Sequence, residues 1–287
     1  MKINSLIQKI GAHAPFLGGK RRHAIVPPAL GDPLRFPYGP FRFRTRLAKG
    51  TEYTVLASPD LRTWSPTSMS VAKEEVVEYV DSEAFKFTCR FYRMQVRQVF
   101  SANVIGYASV SLPPGFSMIA NPFDTPQTVG ETFKGWPQGT TLNRFDTMLF
   151  KLVENDFKDG KWSNPHEKLV PGEGAIFFNP TSDYKSASFV GDVIQGSLSV
   201  PIPAGFSIRS ALVPQPGNLA DDLRFPISNG DVIHLFDRER QKYVLHPYQD
   251  GRWTAGPPII GVGEAFWVAK TDPGNWSYNL EIGEAAS

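Results

Sequence analysis

The chain is poor in cysteine, since Cys89 is the only one among 287 residues. A single thiol excludes an intrachain disulfide and a cysteine-based metal cluster, so packing has to hold the fold together. Cys89 lies in the alternating segment Phe85-Lys-Phe-Thr-Cys-Arg-Phe-Tyr-Arg, which is typical of a strand. We therefore predict a buried and unreactive thiol.

Long apolar runs are absent as well, and no stretch reaches the length of a membrane-spanning helix. The first eleven residues have the spacing of a short amphipathic helix, with Ile3, Leu6, Ile7 and Ile10 on one face. They lack the uninterrupted apolar stretch and cleavage site of a signal peptide, so these residues give no support for export.

Signatures of common enzyme chemistry are also missing. There is no glycine-rich phosphate loop, no G-x-S-x-G nucleophile motif and no H-E-x-x-H zinc motif. The five histidines show no close metal-ligand spacing, and we expect neither a metal site nor a cofactor. The sequence favours a protein that is not an enzyme.

Frequent turns characterise what the chain does contain. Glycine and proline occur 25 times each, and 41% of the residues are hydrophobic, which suffices for packed cores. Short extended segments between turns predict an all-β fold of two or three domains.

The net charge of +2 hides a basic leading part. Through Lys49 there are ten basic residues and one acid, which leaves 20 basic and 27 acidic residues in the rest. Prolines exclude a continuous helix or central strand in residues 1–40, so we predict an extended basic arm that docks on a neighbouring copy. The cations assigned to assembly are Lys20, Arg21, Arg22, Arg35, Arg42, Arg44 and Arg46. Nucleic acid is an unlikely partner, because the basic cluster is short and the rest is acidic.

Residues 41–97 are predicted to form a small sandwich of immunoglobulin or fibronectin type III size. Phe41, Phe43 and Thr45 alternate with arginines, which places one face of this strand in a core. We predict that the strand forms a hairpin with Tyr53–Ala57.

A duplication occupies the rest of the chain. Residues 106–117 recur as residues 196–207, an offset of 90, and three later blocks recur at an offset of 91. We predict homologous β-units at 104–194 and 195–283, either as tandem domains or as halves of one pseudo-symmetric barrel or sandwich. The later blocks are Phe145-Asp146 with Phe236-Asp237, Asp159 to Trp162 with Asp250 to Trp253, and Gly172-Glu173 with Gly263-Glu264.

Two sets of motifs resemble a known kind of protein. Tyr53-Thr-Val-Leu-Ala-Ser-Pro-Asp-Leu-Arg-Thr-Trp64 with Arg90-Phe-Tyr-Arg93 is similar to fibronectin type III-like segments of large secreted or surface proteins of Verrucomicrobia and Planctomycetes. The duplicated motifs, such as Gly115 to Pro122, look like β-repeats near the ends of such proteins. The resemblance implies an extracellular or cell-surface location, and it implies no chemistry for individual residues.

The repeated acids Asp146, Asp237, Glu173 and Glu264 are the first catalytic candidates, since paired carboxylates can hydrolyse glycosides. We favour a structural role, in which carboxylates at strand ends accept hydrogen bonds from turn backbones.

Tryptophans are candidates for stacking on sugar rings. Trp162 and Trp253 recur after a tight turn and are expected in the core. Trp136 and Trp276 remain as ligand-stacking candidates.

The sequence therefore favours a structural subunit that self-assembles into a homo-oligomer or filament through its arm and β-domains. Its partners would be copies of itself, with other surface or assembly proteins as further candidates. A surface adhesin or carbohydrate-binding module that uses exposed aromatic side chains is the alternative.

Overall fold

The structure is a computed structural model, and it describes residues 26–35 and 39–283. It is all-β, as the sequence predicts. Within these residues the helical elements are a 3-10 turn at Ala84–Lys86 and one short helix, α1, at Val129–Thr132. No helix in this part of the chain has the length and apolar character needed to cross a membrane.

Two facing sheets form the leading sandwich. One has the order β1-β2-β5 and the other has the order β14-β8-β6-β3-β4, with β7 paired to β6. The strands are β1 (Leu30–Arg35), β2 (Phe41–Arg46), β3 (Glu52–Ser58), β4 (Ser65–Val71), β5 (Val76–Asp81), β6 (Cys89–Val96), β7 (Val99–Phe100), β8 (Ile105–Leu112) and β14 (Lys185–Asp192).

Aromatic side chains fill the space between these sheets. Phe41 and Phe43 on β2 are fully buried, and the ring of Phe41 stacks on that of Tyr92 with 4.6 Å between centroids. The alternation predicted for β2 is confirmed, because Phe41, Phe43 and Thr45 are buried while Arg44 and Arg46 are exposed. The resulting core is that of a small sandwich.

The predicted hairpin between β2 and β3 is wrong. β2 pairs with β1 and β5, whereas β3 pairs with β4 and β6 in the opposite sheet. Both strands carry apolar residues for the same core, and they supply them from its two sides. The turn after β2 therefore carries the chain from one sheet to the other.

The sandwich extends beyond residues 41–97 on both sides. β1, which belongs to the predicted arm, pairs with β2, and β8, which belongs to the first repeat, pairs with β6. The added strands contribute buried side chains such as Leu30 and Tyr107 to the same core. β8 thus belongs to the sandwich and to the first repeat at once.

Each repeat contains a five-stranded sheet, and the two sheets have the same strand order. The orders are β12-β11-β10-β13-β9 in the first repeat and β20-β19-β18-β22-β16 in the second. In the first repeat the strands are β9 (Gly115–Ile119), β10 (Thr141–Asp146), β11 (Lys151–Lys158), β12 (Lys161–Trp162) and β13 (Ala175–Asn179). In the second they are β16 (Gly205–Ser210), β18 (Val232–Asp237), β19 (Lys242–Gln249), β20 (Arg252–Trp253) and β22 (Ala265–Lys270).

Register follows the duplication residue by residue. Phe145 pairs with Leu152 in the first repeat, and Phe236 pairs with Tyr243 in the second. The antiparallel pair β8 and β14 has its counterpart in β15 (Gly196–Ile202) and β23 (Gly274–Leu280). A small pair, β17 (Gly217–Asn218) with β21 (Ile259–Ile260), belongs to the second repeat.

The repeats contact each other reciprocally about a pseudo-twofold axis. The Ala120 N–H donates to the Gly263 carbonyl at 2.9 Å, and the equivalent Ser210 N–H donates to the Gly172 carbonyl at 3.3 Å. Met118 and Ile208, which are also equivalent, meet in a shared apolar cluster. Gly172 and Gly263 both have a positive φ, 87° and 79°, which favours glycine at this place in both copies.

Two buried tyrosines predict how stability depends on alkaline pH. Burial raises the pKa of Tyr107 to about 12 from an ordinary value of 10.0, and burial raises the pKa of Tyr92 as well. The Tyr92 hydroxyl donates to Asp81 Oδ2 at 2.6 Å, and the Tyr107 hydroxyl donates to the Ala84 carbonyl at 2.6 Å. Folding favours the neutral phenols. Their contribution to the free energy of unfolding is therefore fully present below pH 10 and is lost as the pH rises toward 12.

Urea unfolding near neutral pH and in that alkaline window measures this loss. Tyr107→Phe removes one of several groups whose pKa burial raises, the others being Tyr92, Tyr79, Tyr243 and Cys89, and is expected to flatten the pH dependence in part. A free energy of unfolding that stays constant up to pH 12 would contradict the assignment.

Candidate binding cleft between the two repeats

A cleft lined by aromatic side chains lies where the two repeats meet. Its volume is about 290 Å³, and its walls expose almost no polar atoms. We call it the aromatic cleft, and its lining residues are Phe145, Phe150, Phe206, His234, Tyr243 and Trp267.

The rings in the aromatic cleft contact one another mainly edge to face. The Phe145 and Trp267 centroids are 4.9 Å apart, and the Phe145 and Phe150 centroids are 5.3 Å apart. Trp267 Nε1 donates to the Tyr243 hydroxyl at 3.1 Å. Such contacts fix the rings and leave their remaining faces open to a ligand or partner.

The equivalent positions of the other half of the pseudo-twofold are far less aromatic. Phe145 and Phe206 have the equivalents Phe236 and Phe116, so these two rings belong to the common fold. The other four aromatic residues each have a non-aromatic equivalent in the other half. These equivalents are Gln241 for Phe150, Asn143 for His234, Leu152 for Tyr243 and Ile176 for Trp267.

In the other half, Gln241 stands at the position of Phe150 and forms hydrogen bonds with the backbone of Phe116. Its Oε1 accepts from the Phe116 N–H at 2.8 Å, and its Nε2 donates to the Phe116 carbonyl at 2.9 Å. The other half is closed without aromatic side chains at these four positions, so the shared strand arrangement does not require them.

The turn beside the aromatic cleft is apolar and exposed. It joins β10 to β11, and Met148, Leu149 and Phe150 are 94%, 62% and 64% exposed. We call these three residues the apolar turn. The equivalent turn of the second repeat carries Glu239, Arg240 and Gln241. Contiguous exposed apolar groups of this kind mark interaction surfaces.

His234 adds no charge to the aromatic cleft at neutral pH. Burial lowers the pKa of its imidazole below the ordinary 6.5. The neutral ring packs edge to face on Phe206 and Tyr243, with centroid distances of 5.9 and 6.3 Å. The cleft therefore offers apolar faces and a neutral imidazole.

The repeated aspartates lie at strand ends, where they bind turn backbones. Asp146 Oδ1 accepts from the N–H groups of Met148 and Leu149 at 2.8 and 2.9 Å. Asp237 Oδ1 accepts from the N–H groups of Glu239 and Arg240 at 3.1 and 2.9 Å. A hydrogen bond from the Arg240 side chain lowers the pKa of Asp237.

The repeated glutamates are engaged as well. Glu173 forms an ion pair with Arg144 NH1 at 3.2 Å. Glu264 pairs with Arg238, and its Oε2 accepts from the Gly261 N–H at 2.9 Å. All four carboxylates thus have partners in their own repeat, in turns or on a neighbouring strand.

The predicted assembly cations are scattered. Lys20, Arg21 and Arg22 lie outside the described residues. The Arg35 guanidinium sits 3.7 Å from the centre of the Tyr107 ring, and burial lowers its pKa, so it belongs to the sandwich. Arg44 pairs with Glu78 at 2.7 Å, and Arg46 is exposed on β2 beside the partly buried Arg42.

The structure corrects the interpretation of Trp276 as a ligand-stacking residue. Its ring is fully buried, and its Nε1 donates to the Leu223 carbonyl at 2.7 Å. Trp136 is partly buried, because its ring packs edge to face on Phe133 and Phe177. Trp162 is in the core as expected, and Trp253 packs on Tyr248.

The sequence analysis missed the aromatic cleft. Its residues come from β10, β16, β18, β19 and β22 and from the apolar turn, so no local pattern brings them together. A signal was nevertheless present, since aligning the two repeats shows that these four positions of the cleft are among those at which only one copy is aromatic.

Comparison with known proteins adds little. No family model matches the chain, and no curated protein matches it. A solved structure described as a tetra-tandem repeat in the extending region of a large adhesion protein has 9% identity and a TM-score of 0.22, over 89% of this chain and 75% of that one. A likeness at that score carries no argument about this chain.

Proposed function

We propose that the chain is a non-enzymatic structural subunit that assembles with copies of itself into a homo-oligomer or filament. The observation that carries the proposal is the continuous apolar surface formed by the aromatic cleft and the apolar turn. Water contact with such a surface is unfavourable, and burying it against another protein removes that cost.

Other features support the same role. The four repeated carboxylates have partners in turns or on a neighbouring strand, which leaves them poorly suited to acid-base catalysis. The leading 25 residues contain five basic residues and no acid, and an adjacent acidic body would attract them. A location at the cell surface belongs to this proposal on sequence resemblance alone.

The first test converts the apolar turn into its counterpart. The triple variant Met148→Glu, Leu149→Arg, Phe150→Gln introduces the residues that the equivalent turn of the second repeat carries. The fold already accepts that turn sequence, since Phe150 and Gln241 share a positive φ of 50° and 51°. We expect the full chain to self-associate in light scattering, and the variant to do so at least about tenfold more weakly.

Phe85→Ser is the matched control, because it removes an exposed aromatic ring that lies on the 3-10 turn of the sandwich. It should leave association unchanged. A full chain that remains monomeric at every concentration would refute self-assembly.

A carbohydrate-binding or adhesive role is the second candidate, favoured by the open ring faces of the aromatic cleft. A monomeric chain that binds glycans, and loses them in Trp267→Ala, would establish it in place of assembly.

A further inference from the structure

β8 and β15 are equivalent strands with different surroundings. β8 pairs with β14 on one edge and with β6 of the sandwich on the other. β15 pairs with β23 on the equivalent edge, and its second edge has no strand partner among the described residues. The repeat thus shows one edge occupied and its counterpart open.

Contacts made by β8 identify the backbone groups that face outward. On its sandwich edge the Ser109 N–H donates to the Thr88 carbonyl at 2.7 Å, and the Ser111 carbonyl accepts from Arg238 NH1 at 2.8 Å. Backbone groups alternate along a strand, so the equivalent outward groups on β15 belong to Ser199 and Pro201. Neither has a hydrogen-bond partner on this edge within residues 26–35 and 39–283.

Proline at position 201 does not prevent strand addition. β6 covers only residues 105–108 of β8, which correspond to residues 195–198 of β15. Pro201 lies beyond that stretch, and in a ladder along the whole of β15 its missing N–H costs one hydrogen bond, while its carbonyl and both backbone groups of Ser199 remain available.

The equivalent glycines of the two strands differ in their surroundings. A Cβ on Gly106 would lie 2.7 Å from the Phe91 ring and 2.8 Å from the Arg90 carbonyl, because β6 packs directly against it. Gly196 has a φ of 85°, so a Cβ there points in a different direction, and it would meet no atom within 4 Å. Among the described residues no strand occupies beside β15 the place that β6 fills beside β8.

β4 is the strand of this chain that best fits the open place. It ends the larger sandwich sheet, and among the described residues it pairs only with β3. None of its seven residues is buried, and Met69 is 80% exposed. β15 also has seven residues, so the two free edges match in length.

We propose that β15 accepts β4 of a second copy as an added strand, which rests on the proposed self-assembly and adds a second contact to the apolar surface of the aromatic cleft and the apolar turn. The contact uses backbone hydrogen bonds between two different surfaces of the chain. Each copy has one donor edge and one acceptor edge, so association runs head to tail and builds a ring or a filament.

The first experiment compares two substitutions at one position in the full chain. Ser199→Pro removes the outward N–H, whereas Ser199→Ala keeps it and removes only the hydroxyl that meets Ser277 Oγ at 3.1 Å. We expect Ser199→Pro to weaken association about tenfold and Ser199→Ala to leave it unchanged. Circular dichroism verifies that both variants are folded.

Disulfide trapping identifies the partner strand even if the proline variant fails to fold. Ser68 and Ser199 are the central residues of β4 and β15, so they approach each other whichever way the strands run. Ser68→Cys and Ser199→Cys proteins, mixed and oxidised, should give a mixed dimer that neither protein gives alone. Cys89 does not compete, because burial raises the pKa of its thiol to about 12.

The outcomes separate this inference from the proposed function. Association without the mixed dimer, and with Ser199→Pro behaving as Ser199→Ala, overturns the β4–β15 contact and leaves self-assembly standing. A disulfide between two Ser199→Cys chains overturns β4 as the occupant. A monomeric full chain overturns both proposals.

Discussion

Replacing Asp231 with alanine is expected to destabilise the second repeat by about 3–5 kcal/mol. Asp231 is 0% exposed and Lys270 is 5% exposed, and the two form a buried ion pair. The variant leaves the ammonium of Lys270 in the interior, where the Pro226 carbonyl, 2.6 Å away, is its remaining acceptor among the described residues. It also removes the acceptor of the Ser228 and Thr271 N–H groups, at 2.7 and 2.8 Å.

The first repeat supplies the control for this prediction. Thr140 and Asn179 occupy the equivalent positions, and Asn179 Nδ2 donates to the carbonyls of Leu112 and Asp183 at 3.1 and 2.8 Å. The double variant Asp231→Thr, Lys270→Asn should cost less than Asp231→Ala, because no charge is left without its partner. Urea unfolding measures both. A loss below about 1 kcal/mol for Asp231→Ala would show that water reaches Lys270.

Trp276→Ala is expected to have an effect of similar size, about 3–5 kcal/mol. The ring packs edge to face on Phe225, with centroids 4.9 Å apart, and also contacts Phe266. Truncation opens a large cavity and leaves the Leu223 carbonyl without the donor that it has at 2.7 Å.

Trp136→Ala is the matched control, since it truncates the same residue type at a partly buried position. Its cost in the free energy of unfolding should be clearly smaller. Hydrogen exchange adds a localised measurement, because Trp276→Ala should raise exchange mainly in β15, β18, β22 and β23, whose side chains share its core. Equal effects of the two substitutions would contradict the packing described for Trp276.

Local patterns in the sequence predict much of the fold. The alternation of Phe41, Phe43 and Thr45 gives β2 its buried face, and the Asp-Gly turns give the hairpins that end in Trp162 and Trp253. The duplication predicts two equal sheets. These features depend on neighbours within a few residues or on direct comparison of two segments.

Features set by distant contacts could not be predicted in this way. β8 pairs with β6 on one edge and with β14, 80 residues further along the chain, on the other. The residues of β8 alone do not predict these two pairings. Trp276 has Ala187 as its equivalent in β14, so the duplication gave no hint that this ring is a core residue. The first repeat fills that space with other rings, including Phe133 and Phe189.

The double membership of β8 has a mechanical consequence. Strands of one sheet separate only when a whole ladder of backbone hydrogen bonds breaks together. A force that separates the sandwich from the first repeat therefore acts on the hydrogen bonds of the β6–β8 ladder and not on a flexible linker. The sandwich and the first repeat should therefore bear tension as one stiff segment, as expected of a load-carrying element and not of domains joined by flexible linkers.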